Sequence, residues 1–427
     1  MKQEELKIAC IGAGNSGTSH MIWFEQRIPG SVVTFCDLDR SIFDMTIDGY
    51  FGKGANISGD FKQDVGGLTE AFREIPFYTN ADEMLNNEDV NAVLICTSCD
   101  AHAEMVEKCV KRGLHIMVEK PIAITEDDIE KVWDLLKDYP KVSTVNFTMR
   151  GAPVSLAAKH HVENGTIGKI VSVQYVNNVH YGDGYFRHWM RTQNRVGNLM
   201  LQKATHDFDI INSIIGLKPV SAAAFGSRLV YGGDMPDDLT CDVCENKTTC
   251  PMSVYRMFMD ASKPVPAPHR RQCVYANEID IDDNQTAIFQ YEGGVNVSYS
   301  QSFNAPQQGG QRGGYFIGTE GIMHLKYYNE FVETPQGQMI AGSSSIDITR
   351  YHQKPASRIH EVYDWAGNNH FDGTGFGMEA KLALLTDKDT EIKNSIKEGY
   401  ISAKMCLAAQ KSIEEKRVVD LGLKSIL

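Results

Sequence analysis

An apolar run that leads directly into a glycine-rich turn near the start of the chain constrains the fold more than any other feature of the sequence. Residues 7–11 are predicted to form a strand, residues 12–17 are Gly-Ala-Gly-Asn-Ser-Gly, and residues 20–26 are predicted to continue as a helix. In such a unit the first glycine allows a tight turn, the second lets the backbone approach a pyrophosphate, and the third permits close packing of helix on strand. The helix N-terminus also offers free N–H groups to phosphate. We therefore predict a dinucleotide site; a structural turn in some other α/β protein is the alternative. The predicted residues are Gly12, Gly14, Asn15, Ser16 and Gly17.

An acidic residue follows this turn at the distance that a dinucleotide site requires. Asp37 ends the next predicted strand, twenty residues after Gly17. A carboxylate there can accept hydrogen bonds from both ribose hydroxyls of NAD, and it repels the 2′-phosphate of NADP. Arg40, three residues further on, could weaken that preference. The sequence therefore predicts NAD as the cofactor in preference to NADP.

The pattern of apolar residues changes near Arg150. Before this point, short apolar runs alternate with helical stretches, which predicts a parallel sheet built from βαβ units. After it, long alternating segments predict an open, mostly antiparallel sheet with one solvated face. We predict an α/β protein with two domains: residues 1–149 bind the dinucleotide, and residues 150–427 form a C-terminal α+β domain.

The individual elements follow from the same periodicities. In the first part, strands are predicted at 7–11, 31–36, 92–96, 115–118 and 142–147, and helices at 102–112 and 126–139. In the second part, extended segments are predicted at 170–178, 285–303 and 314–327, and helices at 155–164, 198–215 and 378–416, the last with a break. Residues 52–67 are rich in Gly, Asp and Lys and are predicted to form an exposed loop.

The charge of the chain limits its partners. Lys and Arg number 42 and Asp and Glu number 55, which gives a formal charge of −13. Nucleic acids and anionic membranes both require clustered positive charge, so neither is expected as the main partner. No apolar run approaches the roughly 18 residues of a membrane-spanning helix. The first residues lack the basic start and long apolar region of a secretory signal, and we expect a cytoplasmic protein.

A lysine lies just beyond the end of a predicted strand in the first domain. The strand at 115–118 is followed by Glu119, Lys120 and Pro121. Ligands of open α/β sheets bind beyond the carboxyl ends of the strands, and a lysine in a partly dry cleft can act as a proton carrier near neutral pH. A surface turn is the alternative. The preceding strand ends in a segment with Thr97 and His102, which either lines the cofactor or caps a helix.

Several of these motifs together resemble one known family. The glycine turn, the segment from Thr97 to His102 and the Glu119-Lys120-Pro121 triplet are similar to those of the Gfo/Idh/MocA oxidoreductases, named for glucose–fructose oxidoreductase and inositol dehydrogenase. Residues 197–209 resemble the glycine-led helix with His-x-x-Asp of that family, and residues 318–321 resemble its late strand turn. The resemblance implies an N-terminal Rossmann domain and a C-terminal α/β domain whose open sheet often mediates oligomers. It also implies oxidation of a secondary hydroxyl of a sugar or cyclitol with NAD(P).

The resemblance implies roles for single residues. Lys120 and His206 would lie on either side of the reacting carbon as the catalytic proton-transfer groups. Helical spacing independently places Asp209 one turn after His206, where it could orient the histidine ring. For His206 taken alone, a buried histidine bonded to the backbone is the alternative. The residues implied around the cofactor are Thr97, His102, Glu119, Lys120 and Asn146.

The helix departs from the polyol dehydrogenases of the family at one position. Many of them carry an acid four residues before the histidine, where this chain has Gln202. Lys203 resembles a subgroup with a Lys-x-x-His-Asp pattern that acts on glycosides and related sugars, often at the C3 hydroxyl. We expect Lys203 to contact the substrate or to serve as an auxiliary proton carrier.

Two further segments could contact a sugar. Residues 185–191 are aromatic and basic, which suits stacking on a sugar ring and bonding to its hydroxyls; a packed loop is the alternative. Trp189 and Arg191 are the predicted contacts there. His370, which lies two residues before Asp372, resembles part of a late family motif and is also predicted to bind substrate.

Four cysteines are spaced like metal ligands. Cys241, Cys244 and Cys250 lie within ten residues in a polar segment, and 22 residues separate Cys250 from Cys273. Two-residue spacing lets one turn present two sulfurs to a tetrahedral ion, and in a reducing compartment a metal is favoured over disulfides. A subgroup of the resembled family shares these cysteines. We predict a closed structural zinc site with no catalytic role; free thiols or an iron–sulfur cluster are the alternatives.

Three functions are compatible with these residues. The leading hypothesis is an NAD-dependent oxidoreductase that acts on a hydroxyl of a sugar, glycoside or cyclitol and forms homo-oligomers. The second is a glycosidase that retains NAD, oxidises C3 transiently and eliminates the glycosidic substituent. The third is a non-catalytic NAD and sugar sensor, because a fold can persist without its chemistry; the presence of both Lys120 and His206 argues against it.

Overall fold

The computed structural model describes residues 2–51, 66–257, 271–328, 331–333, 339–351, 358–364, 370–386, 388 and 395–423. The exposed loop predicted at 52–67 lies, for residues 52–65, outside the described residues. The chain forms two compact units. The described parts of the first unit fall within Met1–Leu156 and Ala366–Lys404, and those of the second within Ala157–Trp365 and Met405–Lys424.

The first unit contains a parallel sheet of six strands. Its central strands are buried along their whole length because helices cover a parallel sheet on both faces. The sheet confirms the predicted Rossmann-type fold, and the ends of the predicted strands differ from the observed ones by at most two residues. The strands are β1 Ile8–Ile11, β2 Val32–Cys36, β3 Phe77–Tyr78, β4 Ala92–Ile95, β5 His115–Val118 and β6 Ser143–Val145. Their order across the sheet is β3-β2-β1-β4-β5-β6.

Helices of the first unit begin where the sequence supplies capping side chains. The Asn80 side chain accepts hydrogen bonds from the N–H groups of Asp82 and Glu83, and the Thr125 hydroxyl accepts one from Asp128. Such caps satisfy N–H groups that have no partner inside the helix. The helices in this part of the chain are α1 Asn15–Arg27, α2 Arg40–Phe51, α3 Gly66–Glu74, α4 Ala81–Asn87, α5 His102–Lys111 and α6 Glu126–Leu136.

A helix from late in the sequence completes the core of the first unit. Met378, Leu382 and Leu385 pack in the same cluster as the strands β1 and β4. As the predicted break indicates, the segment 378–416 forms two helices, one starting earlier than predicted, at Gly373, and the other ending at Glu415. The two compact units differ from the predicted domain limits, 1–149 and 150–427, mainly in the placement of residues 366–404.

The second unit contains a nine-stranded sheet. The predicted segments 285–303 and 314–327 each form two strands joined by a tight turn. The strands of this sheet are β7 Ile170–Asn178, β8 Pro219–Ser227, β9 Asn284–Tyr291, β10 Asn296–Ser302, β11 Gln311–Gly318, β12 Gly321–Lys326, β15 Ser343–Arg350, β16 Ile359–Asp364 and β17 Val419–Asp420; β13 Phe331–Glu333 and β14 Met339–Ala341 pair separately. Their order across the sheet is β16-β15-β12-β11-β7-β10-β9-β8-β17. All its pairs are antiparallel except β7 with β10, which confirms the predicted mostly antiparallel sheet.

One face of this sheet is buried and the other is exposed. Along β9 the side chains alternate strictly between exposed and buried, as expected when only one face packs on a core. The exposed face carries the apolar side chains of Ile288 and Tyr315. The predicted homo-oligomer stays a prediction. Among the described residues, no helix has the length and apolar character needed to cross a membrane.

The helix that carries the His-x-x-Asp motif is not a regular α-helix throughout. The predicted helix 198–215 begins with a π-helical turn, Met200–Ala204, and continues as α10, Thr205–Ile215. A π-turn has more residues per turn than an α-helix, so it rotates the side chains before Thr205 around the helix axis. Gln202 and Lys203 therefore do not lie on the same face as His206 in the way that regular α-helical spacing predicts. The other helices are α7 Pro153–Glu163, α8 Asp183–Phe186, α9 Gln193–Val196, α11 Val254–Met257, α12 Gly373–Leu385 and α13 Ile396–Glu415.

Candidate active site

The glycine turn between β1 and α1 has the shape that a dinucleotide phosphate requires. A Cβ at Gly12 would lie 2.3 Å from the carbonyl carbon of Cys96, and one at Gly17 would lie 2.0 Å from the oxygen of Gly12. A Cβ at Gly14 would meet no described heavy atom within 4 Å. The first and third glycines therefore permit close packing within the protein, whereas Gly14 borders open space. A pyrophosphate can approach the backbone at that point, so the turn fits the cofactor predicted for it.

The carboxylate predicted to select NAD is fixed beside this turn. Asp37 Oδ2 accepts a hydrogen bond of 2.8 Å from the Ala13 N–H. Arg40 instead donates to the carbonyl of Arg73 at 3.1 Å, and its guanidinium lies 5.1 Å from the ring centre of Phe77. The Arg40 guanidinium is therefore engaged by other parts of the protein, the Arg73 carbonyl and the Phe77 ring.

Three of the predicted cofactor residues meet around one partly buried carboxylate. Glu119 accepts hydrogen bonds from the Ser16 hydroxyl at 2.9 Å and from the Asn146 side-chain amide. His20 Nε2 lies 3.2 Å from Glu119 Oε1 and 3.0 Å from Asn146 Nδ2. Lys381 Nζ donates to Asn146 Oδ1. The predicted residues Ser16, Glu119 and Asn146 thus come together, and His20 and Lys381 join them.

The charges in this cluster influence one another because they lie close together and are largely shielded from water. Burial alone would raise the pKa of Glu119, but the hydrogen bond and charge of His20, with the Asn146 bond and the Lys120 charge, lower it below its ordinary range. Burial lowers the pKa of Lys381 to about 8, although Glu119 and Cys96 act in the opposite direction. Glu119 is therefore ionised at neutral pH, and Lys381 remains largely protonated.

His102 joins two loops at the same edge of the first sheet. Its Nδ1 lies 2.7 Å from the carbonyl of Pro121, and its Nε2 lies 3.2 Å from the carbonyl of Thr97. Burial lowers the pKa of His102, although both carbonyls raise it. The imidazole thus fixes the loop after β5, which carries Lys120, to the loop after β4. A direct contact of His102 or Thr97 with the cofactor stays a prediction.

In the second unit a buried ion pair organises the polar residues near the His-x-x-Asp motif. Asp207 accepts a hydrogen bond of 2.7 Å from Arg312 Nε. Its other oxygen accepts bonds from Asn177 at 2.8 Å and from the Tyr299 hydroxyl at 2.9 Å. Both charged side chains are buried. Asp207 therefore connects α10 with β7, β10 and β11 of the sheet, and it fixes the start of this helix.

The buried Lys203 has a tyrosine as its partner. Lys203 is 5% exposed, and its Nζ donates to the Tyr181 hydroxyl. Tyr181 is 42% exposed and stacks on Tyr185 with the ring centres 6.4 Å apart. Although the side chain is partly exposed, desolvation of its hydroxyl would raise the pKa of Tyr181; the charges of Lys203 and Arg312 outweigh this effect and lower the pKa below its ordinary value. Tyr181 is therefore a partly exposed phenol whose pKa is lowered by the neighbouring Lys203. The predicted contact of Lys203 with substrate stays a prediction.

Gln202, His206 and Asp209 are all buried, the first in the π-turn and the other two on α10. The Gln202 side-chain amide donates to the sulfur of Met190 at 3.0 Å. The burial of His206 suits a group that contacts an enclosed substrate and equally suits a histidine of the core. Its catalytic role therefore stays a prediction.

The predicted sugar contacts Trp189 and Arg191 have different surroundings. Trp189 is 42% exposed, and the Arg195 guanidinium lies over its ring at 5.9 Å from the ring centre. Arg191 is buried and donates to Glu278 at 2.6 Å, to the carbonyl of Cys273 at 3.1 Å and to the carbonyl of Asp237 at 2.6 Å. All three guanidinium nitrogens of Arg191 are thus bound to the protein. This arrangement indicates a structural role and does not support the predicted substrate contact.

His370 belongs to the first unit, whereas Trp189, Arg191 and Lys203 belong to the second. His370, Phe371 and Asp372 all have positive φ, of 55°, 60° and 65°. Three consecutive non-glycine residues in the left-handed region are strained, and such strain is concentrated at functional sites. The contact of His370 with substrate stays a prediction.

Two family models match the chain. Residues 6–147 match the model described as an oxidoreductase family with an NAD-binding Rossmann fold. Residues 155–324 match the model of the Gfo/Idh/MocA C-terminal domain. The chain belongs to the Gfo/Idh/MocA family. The resemblance inferred from the motifs is thereby confirmed.

Individual relatives of this Gfo/Idh/MocA protein are distant. YteT of Bacillus subtilis strain 168, named as an oxidoreductase, is 29% identical over 53% of this chain and 59% of its own length. The myo-inositol 2-dehydrogenase of Thermotoga maritima is 29% identical over 36% of this chain and 44% of its own length. The matched segments thus span less than two thirds of either relative. A levoglucosan dehydrogenase in complex with NADH and levoglucosan has the same fold, with a TM-score of 0.67, 17% identity, and coverage of 98% of this chain and 100% of that structure.

Sequence analysis missed several residues of the site. His20 lies one helical turn after Ser16, so its position on α1 could have indicated a contact with the same carboxylate. Lys381 is a single cation within the apolar run of α12, which was a signal for a buried and partnered lysine. No local pattern indicated Tyr181 or Arg312, because each meets its partner only through the tertiary fold.

The arrangement of the four spaced cysteines does not support the predicted zinc site. The N–H of Cys241 donates to the carbonyl of Arg271 and that of Cys273 to the carbonyl of Leu239, so the two segments pair side by side. Burial raises the pKa of Cys273, and the thiols of Cys241, Cys244 and Cys250 add to this effect. Across the described parts of the chain, however, no group of three or more His, Cys, Asp or Glu side chains is arranged to hold a metal ion. Cysteine spacing can bring thiols into one neighbourhood without giving them tetrahedral geometry.

Proposed function

We propose that this protein is an NAD-dependent oxidoreductase that removes hydride from a secondary hydroxyl of a sugar, glycoside or cyclitol. One observation carries the proposal: the Ser16 hydroxyl of the glycine turn donates to Glu119, the residue before Lys120, at 2.9 Å. The phosphate-binding turn and the proposed proton carrier therefore lie at the same edge of the sheet. In open α/β sheets this edge is the ligand site.

The residues divide the work of such a reaction. The turn around Gly14 would hold the pyrophosphate, and Asp37 would accept hydrogen bonds from the adenosine ribose. Bound NAD supplies the hydride acceptor. Lys120 and His206 would take the proton of the substrate hydroxyl, and in the reverse direction they would return it to the carbonyl oxygen. Glu119 keeps a negative charge beside Lys120, which favours the protonated lysine once the proton has been transferred.

The relatives support a polyhydroxylated substrate. The solved neighbours include levoglucosan dehydrogenase with NADH and levoglucosan, and the same enzyme with NADH and L-sorbose. The matched proteins include dehydrogenases of myo-inositol and scyllo-inositol. The compounds named in these relatives all carry several hydroxyl groups on a ring or chain. We expect such a ring to stack against the exposed part of Trp189.

The test of this function is NADH absorbance with a panel of sugars, glycosides and cyclitols, using wild type and Lys120→Ala. We expect turnover with at least one compound in the wild type and a loss of about 10²- to 10⁴-fold in kcat for Lys120→Ala. Calorimetry should show that NAD binding changes little. Lys137→Ala is the matched control, because Lys137 is a surface lysine of the same unit paired with Asp134. Normal turnover in Lys120→Ala would exclude the assigned role.

The same samples distinguish the two other functions. A glycosidase that retains NAD would release aglycone without net NADH, and native mass spectrometry would find NAD bound after purification. A sensor would bind NAD and sugar without either product. Net NADH formation together with an exchangeable cofactor is the result that the proposed dehydrogenase requires.

The preference for NAD over NADP is tested through Asp37. In Asp37→Ala the ratio of kcat/KM for NAD to that for NADP should fall by about tenfold or more, because a charged acceptor for the ribose and a repulsive charge against the 2′-phosphate are both lost. Asp39→Ala is the control; its carboxylate is exposed and accepts from the Ser41 N–H. An unchanged ratio in Asp37→Ala contradicts the assignment.

A further inference from the structure

The strand order of the first sheet assigns its two sides to the two halves of a dinucleotide. In a sheet ordered 3-2-1-4-5-6, the ligand crosses the carboxyl edge at the point where the order reverses, beside β1. Asp37 directly follows β2 and marks the adenosine side. Glu119 follows β5 and Asn146 follows β6, on the opposite side of the turn. If the proposed function holds, Glu119 and Asn146 therefore belong to the nicotinamide half.

A hydrogen-bond chain connects this half to Lys381. The amide of Asn146 has one accepting and one donating end: Oδ1 receives the Lys381 ammonium, and Nδ2 donates to Glu119. If the Asn146 amide were rotated by half a turn, its N–H groups would face the Lys381 ammonium and its oxygen would face the Glu119 carboxylate, and both contacts would be repulsive. Lys381, which is 2% exposed, therefore fixes the orientation in which Asn146 faces Glu119.

The same lysine places a positive charge in a region shielded from water. The oxidised nicotinamide ring carries a positive charge and the reduced ring is neutral. A buried cation disfavours the oxidised ring, and a buried anion favours it, because charges interact strongly where the effective dielectric constant is low. Glu119 and Lys381 thus act on the two redox forms in opposite directions, with the neutral Asn146 between them.

We propose that Lys381 is a positioning residue that sets the relative affinity of this site for oxidised and reduced cofactor. It holds the Asn146 amide toward Glu119, and its ammonium offsets the preference of that carboxylate for the oxidised ring. The proposal rests on the proposed function for the presence of a nicotinamide. It requires no turnover and no sugar substrate.

The test is the ratio of the dissociation constants of NAD⁺ and NADH, measured by calorimetry for wild type, Lys381→Met and Lys381→Arg at pH 7. Methionine keeps the apolar stem and removes the charge. We expect the ratio of Kd for NAD⁺ to Kd for NADH to fall by about fivefold in Lys381→Met, because the repulsion of the oxidised ring is lost. Lys381→Arg should keep the ratio within about twofold of wild type.

Two further variants separate this role from a general loss of structure. Lys381→Gln retains a side-chain donor without the charge, and its ratio should fall as in Lys381→Met even if the methionine variant folds poorly. Lys388→Met removes an exposed lysine after the same helix and should leave the ratio unchanged. A proportional weakening of both cofactors, with a constant ratio, overturns the proposal. Failure of the wild type to bind either cofactor overturns the proposed function itself, so the two failures are distinguishable.

Discussion

The two units each bury one lysine beside a candidate site, and they stabilise it in different ways. Lys381 of the first unit donates to the neutral Asn146, which in turn donates to the ionised Glu119. Lys203 of the second unit donates to the Tyr181 phenol, while the nearby carboxylate of Asp207 is bound by Arg312. A carboxylate thus acts on Lys381 through one amide, and an aromatic hydroxyl acts directly on Lys203.

The two arrangements differ in the property that each can adjust: ligand affinity around Lys381 and the pKa of a phenol around Lys203. Around Lys381 the charges balance through a fixed amide, so the site can adjust the affinity for a ligand without a change in its own protonation. Around Lys203 the charges of Lys203 and Arg312 lower the pKa of the Tyr181 phenol, and burial lowers the pKa of Lys203 itself. The first arrangement suits the binding of a charged ring, and the second suits the exchange of a proton.

The largest loss of stability is expected when the Asp207–Arg312 ion pair of the second unit is broken. Arg312→Met leaves a buried carboxylate without its cation and should lower the free energy of unfolding by about 3–5 kcal/mol, measured by denaturant unfolding. The double variant Asp207→Asn with Arg312→Met removes both charges and should recover more than half of that loss. No recovery in the double variant would show that Arg312 stabilises the unit by packing alone.

A smaller effect is expected from the pKa of Lys381, which is lowered from 10.5 to about 8 in the folded protein. Between these pH values the unfolded chain holds a proton that the folded chain has released, so stability rises with pH. Relative to Lys381→Met, the free energy of unfolding of the wild type should rise by about 3 kcal/mol from pH 8 to pH 10.5. Parallel denaturant titrations at both pH values measure this difference. A constant difference would mean that the lysine is solvated when folded.

The smallest effect concerns the partner of Lys203. Tyr181→Phe removes one hydroxyl and leaves a buried ammonium without this acceptor, which should cost about 1–3 kcal/mol in the free energy of unfolding. Tyr185→Phe is the matched control, since Tyr185 stacks on Tyr181 and does not bind the ammonium through a described hydrogen bond. Equal losses in both variants would indicate that ring packing, not the Lys203 bond, determines the stability.

Local sequence patterns were sufficient for the glycine turn and for the strands around it. The glycine turn follows β1, Glu119 follows β5 and Asn146 follows β6. Because these strands run parallel in one sheet, the topology places all three features at the same edge. The alternation along β7 and β9 likewise predicted the half-exposed sheet. In each case a short segment carries enough periodicity or backbone constraint to specify its own structure.

Contacts between distant segments could not be predicted in this way. Lys381 meets Asn146 across 235 positions, and Arg312 meets Asp207 across 105. The π-turn at Met200–Ala204 has no known local signature in its own five residues. The cysteine spacing suggested a zinc site that the geometry of the described residues does not support, because spacing limits reach but does not orient four thiols.

The position of α12 in the sequence has a consequence for biosynthesis. Met378, Leu382 and Leu385 of this helix belong to the core built on β1 and β4, strands that leave the ribosome more than 250 residues earlier. Chains fold as they are made, N-terminal parts first, but this core has an uncovered apolar surface until the late helix arrives. The nascent sheet must therefore remain protected from aggregation during most of translation, and a fragment ending near residue 149 would carry the same exposed surface permanently.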